Sequence, residues 1–85
     1  MKTDYEYLKA GVNEAGSVML SYMERGEQVS LQARRRVALD KIEDTFLHDH
    51  GYRNVNKMSS EAKDIYNTLL DRITPELMER LEGLP

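Results

Sequence analysis

Apolar residues recur every three or four positions along most of this chain, which is the spacing of one face of an α-helix. In the first segment the pattern links six positions: Tyr5, Leu8, Val12, Ala15, Met19 and Tyr22. No run of residues alternates apolar and polar side chains as a half-buried strand does, and no hairpin turn signal is present. The spacing therefore predicts an all-α fold.

Capping residues predict where the first two helices begin and end. Thr3 and Glu6 have the spacing of a capping box, in which each side chain satisfies a free backbone N–H of the first turn. Gly26 is suited to the residue just after the first helix. Ser30 is the expected N-cap of a second helix that runs to His50, and Gly51 is its expected stop.

A polar stretch over residues 52–59 predicts a loop, after which Ser59 or Ser60 would cap a third helix. Thr74 and Pro75 then suggest a new helix start, because Thr is a good N-cap and Pro is tolerated at the first helical position. The chain is accordingly predicted to be a small bundle of three main helices plus a short C-terminal helix.

Length and composition limit the classes of protein to which the chain can belong. Its 85 residues predict one domain, 1–85, and the absence of cysteine excludes disulfides and thiolate metal sites. No apolar run approaches the roughly 18 residues of a membrane span. The N-terminus carries acidic residues and tyrosines where a signal peptide would need an apolar run, so a cytoplasmic location is expected.

Two features of the predicted helices suggest close packing. Gly11 and Gly16 either simply weaken the first helix, at about 1 kcal/mol each relative to Ala, or allow a neighbouring helix or partner to approach closely. On a helical wheel the second helix is apolar on two sides, which is typical of a central helix or of an oligomer interface. The main face is Leu31, Ala38, Leu39, Ile42 and Phe46, and the opposite strip is Ala33, Val37 and Leu47.

Three consecutive arginines form a basic cluster in a chain whose net charge is −3. Arg36 is four residues before Asp40 and can form an i,i+4 ion pair, and the stem of Arg34 can lie along the apolar face. The wheel places Arg35 inside the apolar stripe, where a guanidinium needs an acid from another helix, an exit to solvent or a binding partner. The cluster is therefore either internally paired and solvated or part of a binding surface.

Three further residues are predicted to contribute to partner binding. Tyr7 lies off the apolar stripe of the first helix, and Tyr52 and Arg53 lie in the predicted loop. Exposed tyrosine and arginine side chains are typical anchors of protein interfaces. With the arginine cluster, the predicted partner-binding set is Arg34, Arg35, Arg36, Tyr7, Tyr52 and Arg53.

Asp40, Asp44 and His48 lie on one face of the second helix at intervals of four residues, a spacing that can hold a divalent ion. The same spacing is common on solvated helix faces, and this second interpretation is preferred. No catalytic motif or cofactor-binding loop is recognisable. A non-enzymatic protein without cofactor or metal is therefore expected.

Residues 34–46 resemble the central helix of the small enterobacterial Hha-type nucleoid modulators. The resemblance rests on Arg34-Arg35, Leu39-Asp40, Ile42-Glu43 and Phe46, and it continues loosely at Glu61, Tyr66 and Arg72. It covers about half of the chain, requires a longer loop at 51–58 and does not extend to the first helix. No functional residue is transferred from it.

The sequence as a whole favours a small cytoplasmic interaction protein, acting as an adaptor, inhibitor or regulator of bacterial, plasmid or phage type. Its partner would be another protein, bound through helix faces, and self-association through the first or second helix is a further option. The alternative is a nucleic-acid-binding or nucleoid-associated regulator that uses Arg34, Arg35 and Arg36. The acidic net charge argues against that alternative, because nucleic-acid binders usually carry a basic excess.

Overall fold

The computed structural model describes residues 1–84, which form three α-helices and a short 3-10 turn. Helix α1 is Asp4–Glu24, α2 is Leu31–His50 and α3 is Ser60–Glu82, and the 3-10 turn Val55–Lys57 lies between α2 and α3. The part of the chain that the structure describes contains no strand. The predicted all-α fold is therefore confirmed.

The predicted helix caps form. The Thr3 hydroxyl accepts a hydrogen bond from the backbone N–H of Glu6, whose carboxylate accepts from the N–H of Thr3, which completes the capping box. Ser30 and Ser59 cap α2 and α3 through their hydroxyl oxygens. After α1 and α2 the chain adopts a left-handed φ of 76°, which favours glycine, at Gly26 and Gly51.

The predicted fourth helix is wrong, because α3 continues through Pro75 to Glu82. Thr74 lies inside the helix and donates its hydroxyl to the backbone carbonyl of Leu70 instead of capping a new start. Pro75 removes only one backbone N–H from the helix. The core side chains on both sides of it lie on one continuous stripe, which holds the two halves of α3 together: Leu69, Ile73, Leu77 and Leu81.

The three helices pack against one another pairwise, and α2 contacts both α1 and α3. Its most buried residues are Ala38, Ile42, Phe46 and Leu47, which come from both predicted apolar sides. Ala33 is exposed, as is Arg35, which the wheel had placed within the stripe. Within residues 1–84 no charged residue is fully buried.

The buried face of α1 is rotated from the predicted one. Tyr5 is 58% exposed and Tyr7 only 3%, so the prediction for both residues is wrong. The helix α2 approaches closely at Gly11, since a Cβ at this position would lie 2.7 Å from Cδ1 of Ile42 and 3.1 Å from the carbonyl oxygen of Ala38. Gly11 therefore lies in the interface between α1 and α2.

The helices α1 and α3 run parallel, but α3 ends earlier. The guanidinium of Arg72 in α3 donates two hydrogen bonds, of 2.7 and 3.0 Å, to the carboxylate of Asp4 in the first turn of α1. At the other end, the Leu84 side chain after α3 lies beside Gly16. The eight residues after Gly16, up to Glu24, extend α1 by about 12 Å beyond this point. Within residues 1–84, none of the helices has the length and apolar composition to cross a membrane.

Candidate protein-binding surface

Arg34, the first of the three arginines, bonds to the backbone within the fold. Its Nη1 donates to the carbonyl oxygens of Leu81 at 2.9 Å and Leu84 at 3.3 Å, and its Nε donates to that of Val29 at 3.2 Å. The carbonyl end of a helix carries partial negative charge and has backbone acceptors without partners. Arg34 thus ties the C-terminal end of α3 to the start of α2, which the sequence did not suggest.

Arg35 and Arg36 are both exposed on α2. Among the described residues, no carboxylate forms an ion pair with either guanidinium, and the predicted pair between Arg36 and Asp40 is not formed. The two arginines line a shallow depression together with Gln32, Leu39 and Asp40. The triplet is therefore not one continuous basic patch, because only its second and third members project freely.

Tyr7 is not available to a partner, because its ring is buried and its hydroxyl donates a 2.7 Å hydrogen bond to Oδ2 of Asp49. Burial and the neighbouring carboxylate raise the pKa of the Tyr7 hydroxyl well above its usual range. The same hydrogen bond, assisted by the backbone N–H of Lys2, lowers the pKa of Asp49. Tyr7 therefore joins α1 to the end of α2.

Tyr52 and Arg53 remain near the surface, at the opposite end of the bundle from Arg34. Tyr52 packs partly against the core, and its hydroxyl lies 3.4 Å from the hydroxyl of Ser59. Arg53 is exposed. The six predicted partner-binding residues are consequently not brought together into one site.

The acidic face of α2 does not gather further metal ligands. Asp44 and His48 are exposed on the helix, as is Asp40. Within residues 1–84, no three His, Asp or Glu side chains are placed so that they could hold a metal ion.

An apolar surface that the sequence did not reveal lies where α1 extends past α3. We call it the apolar socket: Gly16, Met19, Leu20, Met23 and Leu84, which enclose a notch of about 200 Å³. Leu20 is 60% exposed and Met23 is 48% exposed, although both sit on a well-formed helix. Scattered exposed apolar residues are ordinary, whereas these two adjoin the same depression.

The socket exists because α3 is too short to cover the end of α1. Closer to the N-terminus of α1, residues such as Leu8 and Ala15 are buried against the other two helices. Within residues 1–84, the part of α1 beyond Gly16 lies alongside only the start of α2 and the segment that precedes α2. Leu20 and Met23, which lie three residues apart, are therefore on a side of α1 that no helix within residues 1–84 covers.

The rim of the apolar socket carries charges of both signs. Arg25 and Glu27 form an exposed ion pair at 3.5 Å, and the Arg25 guanidinium also lies 4.6 Å from the centre of the Tyr22 ring. A shallower depression next to the socket shares Met19 and Met23 with it and reaches Glu27 and Arg34. An apolar centre with a polar rim is also common in known protein interfaces.

The sequence contained a weak signal for the socket. Leu20 and Met23 lie outside the predicted apolar seam of α1 and are three residues apart, so they share a face of their own. Apolar residues on a second face indicate either a further buried contact or an exposed surface. Whether such a second face is buried or exposed depends on how far α3 extends. The predicted helix break at Pro75 gave the wrong length for α3.

Comparison with known proteins finds no family model, no curated sequence and no solved structure that matches the chain. No match therefore supports the resemblance of residues 34–46 to Hha-type proteins.

Proposed function

We propose that this chain is a small non-enzymatic helical interaction protein whose apolar socket binds a second protein chain. The observation that carries the proposal is the exposure of Leu20 and Met23 beside the notch. The notch is smaller than the roughly 300–1,000 Å³ of a typical small-molecule site. Its size and apolar lining suit a few side chains from a protein partner.

The energy available from the socket is enough for recognition. Fully burying a Leu or Met side chain contributes about 1.5–3 kcal/mol, and Leu20 and Met23 still have about half of their surface to bury. Because both residues project from a helix with a capped start and a defined end, little conformational entropy is lost on binding. Apolar anchors would supply affinity, and the charged rim would orient the partner.

The proposal is tested with Leu20→Lys and Met23→Lys, which place a charge in the socket while keeping a good helix former. Ile65→Lys is the matched control, because Ile65 is 45% exposed on the distant half of α3. Binding partners captured from the native cell, and then titrated by calorimetry, should lose at least about tenfold in affinity with the socket variants. Equal affinity of the socket variants and the control would refute the proposal.

A second candidate function is nucleic-acid binding through Arg35 and Arg36, supported by their exposure and their lack of ion pairs within residues 1–84. A phosphate binder loses affinity steeply as salt rises. Fluorescence anisotropy with duplex and single-stranded DNA and RNA at about 50 mM salt tests this function. If this function is correct, the chain binds one of these nucleic acids, Arg35→Ala weakens the binding, and added salt abolishes it. If the chain binds none of them, the nucleic-acid function is refuted.

A further inference from the structure

We infer that the last part of α3 is an arm that opens about Pro75 while the rest of the fold stays intact, and that Arg34 holds this arm closed. The C-terminal arm is residues 75–84, of which residues 75–82 are helical. Its opening is independent of the proposed binding at the apolar socket. Three features support it: a weak point in the helix, separate attachments on the two sides of that point, and a polar contact at the end of the arm.

The backbone hydrogen bonding of α3 is interrupted at Pro75. Proline has no N–H, so the carbonyl of Asp71 has no helical donor four residues later. One residue before the proline, the Thr74 hydroxyl donates to the carbonyl of Leu70, a contact that weakens and often bends a helix. The two effects are adjacent, so the hydrogen-bonded backbone of α3 is weakest where the arm begins.

The two sides of Pro75 are attached to the fold separately. On the N-terminal side, Arg72 donates hydrogen bonds of 2.7 and 3.0 Å to Asp4 of α1. The same side carries four buried residues: Ala62, Tyr66, Leu69 and Ile73. The arm contributes two fully buried side chains, Leu77 and Leu81. Their burial keeps the arm closed most of the time, and its opening exposes only a small part of the core.

The rest of the fold can persist without the arm. The helices α1 and α2 pack against each other more extensively than either packs against α3. Ile42 lies against Gly11, and the Phe46 ring lies 6.1 Å from the Tyr7 ring and 5.0 Å from the Tyr66 ring. None of these contacts involves the arm, so the arm can open at a lower free energy than the whole fold.

Once released, the arm does not stay helical. Its helical part has eight residues, fewer than the roughly 12–15 that an isolated helix needs in water. The backbone N–H groups of the arm therefore become exposed together when it leaves α1 and α2.

Arg34 in the first turns of α2 holds the arm closed. Its Nη1 donates to the arm carbonyls of Leu81 at 2.9 Å and Leu84 at 3.3 Å, and its Nε donates to Val29 before α2. A charged donor at the carbonyl end of a helix forms stronger hydrogen bonds than a neutral one. Within residues 1–84, the other side-chain hydrogen bonds of the arm lie inside the arm itself.

The Arg34 contact can break without leaving a buried charge. Arg34 is only partly buried, so on opening both its guanidinium and the released carbonyls reach water. The arm has one further charged contact with α1, in which the Arg80 guanidinium lies 6.0 Å from the centre of the exposed Tyr5 ring. This distance is at the limit of a cation–π interaction, so Arg34 is the main polar attachment within residues 1–84.

The test is amide hydrogen exchange of the intact chain, followed residue by residue by NMR. The amides of residues 77–81 should have similar protection, at least about tenfold below that of residues 65–73. A protection that falls gradually towards the end of α3, without a step at Pro75, indicates fraying and would overturn the inference.

Two variants separate opening of the arm from unfolding of the whole chain. Arg34→Ala should lower the protection of residues 77–81 by about tenfold, Arg34→Lys should lower it less, and Arg35→Ala should leave it unchanged. Tyr7→Phe breaks the hydrogen bond to Asp49, which stays intact when the arm opens. It should therefore lower the protection of the most protected amides of α1 and α2 and leave residues 77–81 unchanged.

Each alternative result contradicts part of the inference. If Tyr7→Phe lowers the protection of residues 77–81 as much as that of α1 and α2, the arm opens only when the whole chain unfolds. If Arg34→Ala leaves residues 77–81 unchanged, Arg34 does not hold the arm. Circular dichroism of each variant establishes that it is folded before exchange is measured.

Discussion

Consecutive residues on one helix can have unrelated roles, as Arg34, Arg35 and Arg36 show. The three side chains point about 100° apart, so only one of them can face the end of α3. Arg34 does so and donates hydrogen bonds to three backbone carbonyls, whereas Arg35 and Arg36 project into solvent. The role of each arginine depends on the direction in which its side chain points. Three identical side chains in sequence do not reveal that direction.

Replacing Arg34 with Ala is expected to lower the free energy of unfolding by about 1–3 kcal/mol, because hydrogen bonds from a charged group are lost. Arg34→Lys should restore only part of this loss, since an ammonium lacks the planar fork of donors. Arg35→Ala and Arg36→Ala should stay within about 0.5 kcal/mol of the wild type. Urea denaturation measures all four, and equal losses for the three alanine variants would contradict the assignment.

The two glycines of α1 are expected to respond oppositely to alanine. Gly11→Ala would place a Cβ 2.7 Å from the fully buried Ile42. The overpacking, at about 1–3 kcal/mol, should exceed the gain in helix propensity of about 1 kcal/mol. Gly16→Ala meets only the Leu84 side chain at 3.9 Å and should stabilise the chain by up to about 1 kcal/mol.

Thermal unfolding of both glycine variants at low protein concentration checks this contrast, because it keeps self-association out of the comparison. A stabilised Gly11→Ala variant would show that α2 can move away from α1 at little cost.

At the scale of the helices, α3 illustrates how tertiary packing overrides a local signal. Thr74 followed by Pro75 is a good helix start, yet both residues lie within one helix of 23 residues. A Pro in a helix interior costs about 3 kcal/mol, which is comparable with burying one or two large apolar side chains. Ile73 and Leu77 are buried on either side of Pro75, so continuity of the helix keeps both in the core.

Replacing Pro75 with Ala is expected to stabilise the chain by about 1–3 kcal/mol, because it restores an N–H and removes the proline ring from the helix interior. The helical circular dichroism signal should be unchanged or slightly larger. The measurement is the urea midpoint together with the ellipticity, and the new backbone N–H of residue 75, which would donate to the carbonyl of Asp71, should be protected from amide exchange. A destabilised variant would instead favour a helix that starts at Pro75.

At the scale of the whole molecule, polar contacts tie the ends of the helices together. Tyr7 and the backbone N–H of Lys2 donate to Asp49, and Arg72 donates to Asp4. Their hydrogen bonds lower the pKa of both carboxyl groups below the ordinary 3.8. A lowered pKa in the folded state stabilises the fold at pH values above 3.8, and this contribution is lost as the pH falls through the folded-state pKa.

Tyr7→Phe tests this linkage. The variant should be less stable than the wild type near neutral pH, and the difference should narrow as the pH falls below 3.8, because protonated Asp49 no longer prefers the hydrogen bond. Urea midpoints between about pH 2 and about pH 7 provide the measurement. Tyr5→Phe is the control, since the Tyr5 ring is 58% exposed and should show no such dependence. A difference that is constant with pH would rule out the Asp49 contribution.

Helix ends could be read from the sequence because capping is local. Thr3, Ser30 and Ser59 each satisfy N–H groups within three residues, and Gly26 and Gly51 adopt a backbone conformation that few other residues tolerate. The apolar spacing likewise predicted that α2 would have buried residues on two sides, such as Ile42 and Leu47. These features depend on neighbours along the chain, and a single sequence contains all of them.

The burial of Tyr7, the exposure of Tyr5 and the solvent position of Arg35 depended on contacts between helices. The helix α2 approaches α1 closely at Gly11, and α3 ends at Glu82 while Leu20 and Met23 stay exposed. A helical wheel shows which residues share a face but not where a neighbouring helix begins, crosses or stops. The apolar socket lies where α1 extends past the end of α3, and these two helices are distant in sequence. For that reason the socket could be recognised only in the folded chain.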